Sequence, residues 1–72
     1  MQVYINAKSK AAVNRSLQEG KTVFAKEIKL GSVHDYTFDQ LPNGTTVKIY
    51  EKCIYGQPYA KSYGIVKNGK LS

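Results

Sequence analysis

Hydrophobic and polar positions alternate along this chain in short blocks that turn-forming residues separate, a pattern typical of β-strands. Val3 and Ile5 share one phase while Tyr4 takes the other, which predicts a first strand over residues 3–6. Later blocks rich in β-branched and aromatic residues predict four more strands, over residues 22–30, 36–41, 46–55 and 59–67.

A single helix is predicted between the first two strands. Ser9 stands before the segment 10–19, and Gly20 closes it. Serine before a helix and glycine just after it are the residues that helix ends favour. Val13 and Leu17 are four residues apart, so they share one side of the helix as a narrow apolar stripe. We expect a short helix that is held by docking on a sheet rather than by its own propensity.

The turns complete the predicted organisation. Residues 31–35 are expected to form a loop, 42–45 and 56–58 tight turns, and 68–72 either a last turn or a frayed tail. The elements predict one small α+β domain over residues 1–72, in the order β-α-β-β-β-β. Its one short helix packs on one face of an antiparallel sheet, and its last three strands form a C-terminal meander.

The turn predicted over residues 56–58 determines which face of the sheet each side chain of the last two predicted strands occupies. If the turn is centred on Gly56-Gln57, Tyr50 is expected opposite Tyr63, and Lys52 opposite Lys61. Because side chains along a strand alternate with a period of two, these four residues share one face of the sheet.

The preceding turn supports the same division. A four-residue loop over 42–45 places Asp39 opposite Lys48 and Phe38 opposite Ile49. Both turns therefore predict an aliphatic face that receives the helix and an opposite face that carries tyrosines and lysines.

That second face is the candidate binding site, formed by Lys48, Tyr50, Lys52, Tyr59, Lys61, Tyr63 and Lys67. Neighbouring tyrosines resemble a stacking platform for bases, worth ~1–3 kcal/mol per base, and the lysines around them attract a phosphate backbone. Two other interpretations stay open. Tyrosine pairs also stabilise sheets on their own, and tyrosine is enriched at the centres of protein interfaces.

The net charge of the chain indicates which classes of partner it attracts. The chain has 11 Lys and Arg against 5 Asp and Glu, a formal net charge of +6, which attracts phosphate backbones, anionic lipid or an acidic protein surface. Lysine binds phosphate diffusely whereas arginine reads bases through paired hydrogen bonds, so with one arginine sequence-specific recognition is not expected. A secondary basic patch near the helix comprises Lys8, Lys10 and Arg15. Scattered lysines that only keep a small domain dissolved are the alternative.

No catalytic apparatus is predicted. His34 and Asp35 are neighbours, but no spacing supplies a nucleophile for them, and the other acids are dispersed. One cysteine, Cys53, and one histidine are too few for a mononuclear zinc site. The glycines match no phosphate-binding loop. We therefore predict a protein that is not an enzyme and that uses no metal or cofactor.

The size of the chain limits its core and bears on its location. A chain of 72 residues buries only ~60% of the surface that its unfolded form exposes, so a homodimer that buries more apolar surface is an alternative. No segment has the charged start and apolar run of a signal peptide or the ~20 apolar residues of a membrane span. We expect a cytoplasmic protein with no membrane partner.

Three segments of the chain resemble small uncharacterised proteins of phages and prophages of Gram-positive bacteria. They are VYINAKSK at 3–10 with Asn14 following, LPNGTTVKIYEK at 41–52 and PYAKSYG at 58–64. These motifs relate to the fold, so no functional residue is carried over. The resemblance implies a bacterial host cytoplasm, where compact phage proteins bind nucleic-acid machinery or defence complexes, including in anti-restriction and anti-CRISPR roles.

We predict a non-catalytic binding protein whose tyrosine- and lysine-bearing face engages nucleic acid or a nucleic-acid-processing host complex. The alternative is that the same face inhibits a host or defence protein by occluding an acidic surface, or that it forms a protein–protein or dimer contact.

Overall fold

The structure, a computed structural model, describes the backbone of residues 1–54 and 57–72 and the side chains of residues 1–51 and 60–72. One helix and six strands in this part of the chain make an α+β fold, the class that the sequence predicts. The elements are β1 Gln2–Asn6, α1 Lys10–Gln18, β2 Phe24–Lys29, β3 Ser32–Thr37, a 3₁₀ turn Phe38–Gln40, β4 Thr46–Ile54, β5 Gln57–Lys67 and β6 Lys70–Leu71.

The strands form one mixed sheet in the order β3-β2-β1-β4-β5-β6. β1 lies inside the sheet and runs parallel to β4, with Val3 beside Val47 and Ile5 beside Ile49, while the other neighbours are antiparallel. The prediction of a purely antiparallel sheet is therefore wrong. Alternation identifies β1 as a strand but carries no information on the direction of its partner, which depends on how the chain crosses over.

The core lies between α1 and one face of the sheet, which we call the helix face. Val3, Ile5, Val47 and Ile49 are fully buried there, and Val13 joins them from α1. Burial of each such side chain stabilises the fold by ~1.5–3 kcal/mol. The other buried members of this cluster are Ala25, Phe38, Leu41, Val66 and Leu71.

α1 begins and ends within one residue of the prediction. The Ser9 Oγ accepts a hydrogen bond from the backbone N–H of Ala12 at 3.1 Å, which satisfies a free donor of the first turn. Gly20 follows the helix with a left-handed φ of 78°, a conformation that glycine adopts without steric cost. Val13 is buried and Leu17 partly buried, so the predicted apolar stripe is the side of the helix that docks.

α1 lies on the helix face with its main strand contacts on β5 and β6. At its start Lys10 lies against Gly64 of β5, where an added Cβ would come within 2.9 Å of the Lys10 Cδ. At its end Leu17 lines a groove together with Val23 and Phe38. One helix thereby covers the helix face, and no second helix of the described chain covers the opposite face.

The loop predicted over residues 31–35 is wrong, because most of this segment is a strand. β2 and β3 form a hairpin in which Lys29 lies opposite Ser32 and Leu30-Gly31 makes the turn. The polar residues of β3 are those of a loop, but β3 is an edge strand with mostly exposed side chains. An edge strand tolerates polar residues on both faces.

The strand predicted next along the chain ends early, at Thr37. A 3₁₀ turn follows, and Phe38 enters the core from it. The neighbours of β4 are β1 and β5, so the predicted pairs of Phe38 with Ile49 and of Asp39 with Lys48 are wrong. A single apolar aromatic residue suits a strand and a buried turn equally, and the sequence pattern does not separate the two.

A C-terminal meander is present, but it consists of β4, β5 and β6 rather than the three strands predicted. Lys48 lies opposite Tyr63, the residue predicted opposite Tyr50, and Tyr50 lies opposite Ala60. The predicted pair of Tyr50 with Tyr63 is therefore wrong. The register shifts after Ile49 and again after Tyr50, and turn rules that count residues from a loop do not reveal such bulges.

The end of the chain is tied to the helix. Residues 68–72 form the turn that was one of their two predicted alternatives, followed by β6, in which Leu71 is buried. The Asn14 side chain donates to the Leu71 carbonyl and accepts from the Leu71 N–H, both at 2.8 Å. Asn14 thus acts towards β6 as one further strand residue would.

The two hairpin turns Leu30-Gly31 and Asn68-Gly69 predict a difference in stability. Their φ values nearly coincide, 51° and 79° against 52° and 79°, and both fit a turn that favours asparagine before glycine. Left-handed backbone costs leucine roughly 1 kcal/mol, and Leu30 is 97% exposed, so its replacement removes no packing. We expect Leu30→Asn to raise the free energy of unfolding by about 0.5–1 kcal/mol in urea denaturation.

Asn68→Leu is the matched control for this prediction. It introduces leucine at the same backbone conformation and should lower the free energy of unfolding by a similar amount. A Leu30→Asn protein that unfolds at lower urea than the parent would contradict the assignment of strain to Leu30.

The Asn14 contact predicts a local effect at β6. Asn14→Ala leaves the Leu71 N–H and carbonyl without their partner, which costs about 1–3 kcal/mol for buried groups. We expect a loss of that order in denaturant unfolding and faster hydrogen exchange at the Leu71 amide. Gln18→Ala, which removes an exposed amide from the same helix, should change neither measurement, and equal effects of both variants would argue against the contact.

Candidate functional site

Residues that lie opposite each other in a ladder point to the same side of the sheet, so the strand registers group the side chains into rows. We call the face opposite α1 the open face. Its central row crosses β3, β2, β1, β4 and β5 and contains, in that order, Asp35, Lys26, Tyr4, Lys48 and Tyr63.

Two further rows flank the central row, and neither carries a charge. The row towards the start of β1 contains Val33, Ile28, Gln2, Thr46 and Ile65. The row towards the end of β1 contains Thr37, Phe24, Asn6 and Tyr50. Phe24 is 64% exposed, and Val33 and Ile65 are also exposed, so apolar side chains surround the charged centre of the open face.

Tyr4 is held at the centre of the open face by two neighbours. Its ring meets that of Tyr50 edge to face, with centroids 6.2 Å apart and an angle of 75° between the planes. The Nζ of Lys48 lies 5.4 Å from the centroid of the Tyr4 ring, within the range of a cation–π contact. Tyr50 is only 6% exposed and is not accessible for stacking. The predicted platform of Tyr50 and Tyr63 is therefore wrong, and Tyr4 takes the place of Tyr50.

Sequence reasoning missed two residues of the central row, Tyr4 and Lys26. The alternation in β1 places Tyr4 on the face opposite Val3 and Ile5, which is the available signal. The prediction lacked the partner of β1, because the parallel ladder that puts Tyr4 beside Lys48 joins segments that no turn connects.

Tyr63 and three lysines give the open face its accessible chemistry. Tyr63 is 58% exposed and lies opposite Lys48. Lys26 occupies the same row on β2, and Lys67 follows on the face of β5 that carries Tyr63. Among the described side chains of the three rows Asp35 is the one acid, so the centre of the open face is electropositive.

The remaining residues of the predicted site divide into two groups. Lys61 occupies the bulge in β5, where its ammonium pairs with Glu51 and donates to the carbonyl of Lys8 at 3.4 Å. Its charge is compensated and directed to the loop before α1. The side chains of Lys52 and Tyr59 lie outside the described residues, as does the predicted pair of Lys52 with Lys61.

The residues of the secondary basic patch do not extend the open face. The stem of Lys10 packs over Gly64 on the helix face, and Arg15 is exposed on α1, near its end. Lys8 lies in the loop before α1 and lines a cleft between β1 and β2. The structure thus places the three residues in separate surroundings.

His34 and Tyr36 belong to the helix-face side of β3. Consecutive residues of a strand point to opposite faces, so His34 and Asp35 do not form a pair. The hydroxyl of Tyr36 donates to Oε1 of Glu27 at 3.1 Å, and this hydrogen bond to a carboxylate raises the pKa of Tyr36 above its ordinary value. Tyr36 is a structural tyrosine and not a member of the open face.

No helix within residues 1–54 and 57–72 is long and apolar enough to cross a membrane. No three His, Cys, Asp or Glu residues of the described chain lie together as ligands for a metal ion.

Comparison of the chain with protein-family models, with curated proteins and with solved structures finds no match. The resemblance of three segments to small phage proteins therefore stays a prediction, and the open face has to be interpreted from its own geometry.

Tyr50 is buried and Tyr63 is exposed on the open face, so removal of their rings should lower the free energy of unfolding by very different amounts. Tyr50→Ala removes a buried ring and the support of Tyr4, and should cost about 3 kcal/mol of unfolding free energy. Tyr63→Ala removes an exposed ring and should stay within about 0.5 kcal/mol. Urea denaturation of the two variants checks this, and a large loss in Tyr63→Ala would show that its ring is not free.

Proposed function

We propose that the protein binds single-stranded nucleic acid through the open face, without reading its base sequence. The observation that carries this proposal is the central row, in which Lys26, Tyr4, Lys48 and Tyr63 alternate cation and aromatic ring across four neighbouring strands. Aromatic rings on a surface stack bases, and cations between them attract the phosphates that link the bases.

The spacing of the row fits a single strand. Neighbouring strands of a sheet lie ~4.8 Å apart, so Tyr4 and Tyr63, two strands apart, are separated by roughly 10 Å. Lys48 lies between them and is within reach of the phosphate that joins bases stacked on the two rings. In a duplex the bases are already stacked and paired, whereas a single strand presents them to a flat surface.

The choice of lysine favours binding without sequence preference. Among the described side chains, Lys26, Lys48 and Lys67 are the cations of the open face, and the one arginine of the chain, Arg15, lies on α1. Lysine contributes a mobile point charge, whereas bidentate reading of a base edge requires the planar guanidinium of arginine.

A protein partner on the same face is the competing function. The exposed Phe24, Val33 and Ile65 favour it, and it includes the inhibition of a host or defence protein and a homodimer. Lysine, however, is depleted from the centres of protein interfaces, and here Lys26 and Lys48 occupy the centre while the apolar residues lie around it. This arrangement favours nucleic acid.

Titration of a fluorescent 12-nucleotide single strand of mixed sequence, at 50 and 200 mM salt, tests the proposal. Each lysine–phosphate contact contributes ~0.7 to the steepness of log affinity against log salt. Three contacts therefore predict a slope of about −2, or roughly 20-fold weaker binding at the higher salt. The matching duplex should bind more weakly than the single strand. No binding of the single strand at 50 mM salt would refute the proposal.

Single substitutions locate the binding on the open face. Tyr63→Ala removes one stacking ring, worth ~1–3 kcal/mol, and should weaken single-strand binding at least 5-fold. Lys48→Gln should reduce the salt slope by about 0.7. Lys29→Gln is the matched control, since Lys29 is an exposed lysine of β2 on the helix-face side. A dimer in light scattering that persists in high salt and dissociates in Ile65→Asp would instead support the protein interface.

A further inference from the structure

β1 and β2 separate soon after they meet. Both strands lie within the described residues, and their ladder consists of the one pair Tyr4–Lys26. In this register the next hydrogen-bonded pair would be Asn6 with Phe24, but the ladder contains neither this pair nor that of Ile5 with Ala25. Alternate residues of a strand direct their peptide groups to the same neighbouring strand. The peptide groups of Asn6 and Phe24 therefore point into the gap and are not paired with each other in the ladder.

The gap opens into a cleft of about 490 Å³ between β1, α1 and β2. The apolar part of its inner wall is formed by Ile5, Ala12, Val13 and Val23, and Ser16 and Thr22 also line the cleft. Aromatic rings stand at the open-face side, those of Tyr4, Phe24 and Tyr50. The volume lies within the ~300–1,000 Å³ of small-molecule sites, and an apolar wall with few polar groups is their usual lining.

The charge of the cleft is positive. Lys8 and Lys26 line it, and no acidic residue is among the described side chains that do so. The two ion pairs of the described chain involve Lys21 and Lys61 instead. The cleft therefore combines an apolar wall, peptide donors and acceptors, aromatic rings and two cations.

We infer that this cleft binds one nucleotide, a nucleoside 5′-monophosphate, with its base in the gap and its phosphate at Lys8 and Lys26. The base stacks on Phe24, and its polar edge meets the peptide groups of Asn6 and Phe24. The inference goes beyond the proposed function, because the residues of the cleft hold the nucleotide whether or not a longer strand lies on the open face.

The shape of the gap favours a nucleotide over an added peptide strand as the ligand. The gap is one residue pair long, since β1 ends at Asn6, β2 begins at Phe24 and the pair Tyr4–Lys26 closes the other side. An added strand needs several consecutive hydrogen bonds, whereas a planar base is satisfied by one pair. Two sources present the same chemistry, a free nucleotide and the phosphorylated end of a strand on the open face, which shares Tyr4 and Lys26 with the cleft.

Calorimetric titration with AMP, UMP, adenosine and inorganic phosphate tests the inference, with amide NMR shifts to locate the site. We expect AMP and UMP to bind with the largest shifts at Asn6 and Phe24, and adenosine and phosphate to bind at least tenfold more weakly, since each has only one half of the recognised chemistry. Equal binding of AMP and phosphate, or AMP shifts confined to α1 and the chain end, would overturn the inference.

Two substitutions and one control assign the binding to the cleft. Ala12→Leu fills the apolar wall with a residue that helices favour and should abolish measurable AMP binding. Lys8→Gln removes an exposed cation and should weaken AMP binding about 5- to 10-fold, and it keeps the test decisive if Ala12→Leu does not fold. Lys29→Gln should bind AMP as the parent does. Unchanged AMP binding in Lys8→Gln would overturn the inference.

The same titrations separate this site from the open face and identify the source of the nucleotide. Tyr63→Ala should leave AMP binding intact while it weakens the binding of the single strand. If AMP binds and the single strand does not, only the proposed function is refuted. If the single strand binds and AMP does not, only this inference is refuted. A 5′-phosphorylated 8-nucleotide strand that displaces AMP at least tenfold better than its unphosphorylated form assigns the cleft to strand ends. Equal displacement by both assigns it to free nucleotides.

Discussion

The parallel pairing of β1 with β4 is the constraint on which the rest of the structure depends. Five consecutive residues of each strand pair in register, and their helix-face side chains, Val3, Ile5, Val47 and Ile49, are among the most deeply buried of the core. Parallel neighbours cannot be joined by a tight turn, so the intervening chain has to cross over. It does so with α1 on one face and with the β2–β3 hairpin at the edge, and this leaves the other face of the sheet open.

The open face owes its chemistry to that same pairing. The β1–β4 ladder sets Tyr4 beside Lys48, β2 adds Lys26 on one side, and β5 adds Tyr63 on the other. Four segments that are distant in sequence thus contribute one side chain each to a row. β1 and β2 form no ladder pair beyond Tyr4–Lys26. Peptide groups that lack a hydrogen-bond partner beside a cleft cost stability unless water or a ligand satisfies them.

The sequence predicts those features that depend on neighbours along the chain. The Ser9 cap and the apolar stripe of α1 are confirmed, because both follow from spacing within one turn of helix. The partner of β1, the bulges between β4 and β5 and the burial of Tyr50 depend on contacts between distant segments and leave no local signal. The hairpin strand β3 was missed because an edge strand and a loop share the same polar composition. The faces of Lys48 and Tyr63 were easier to predict than their partners, since a register error of two residues keeps a side chain on its side. The bulge at Lys61 breaks this rule and directs that side chain away from the open face.

The core and the proposed binding surface lie on opposite faces of the sheet. On the helix face and at its rim the polar groups are matched within the protein: Asn14 holds β6, Glu27 accepts from Tyr36, and Glu51 pairs with Lys61. On the open face Lys26 and Lys48 stand in one row with no described ion pair, and exposed rings lie next to them. Like charges on a surface destabilise the free protein slightly through repulsion, and a bound polyanion removes that repulsion. The polyanion proposed for the open face would therefore stabilise the protein by removing the repulsion between Lys26 and Lys48.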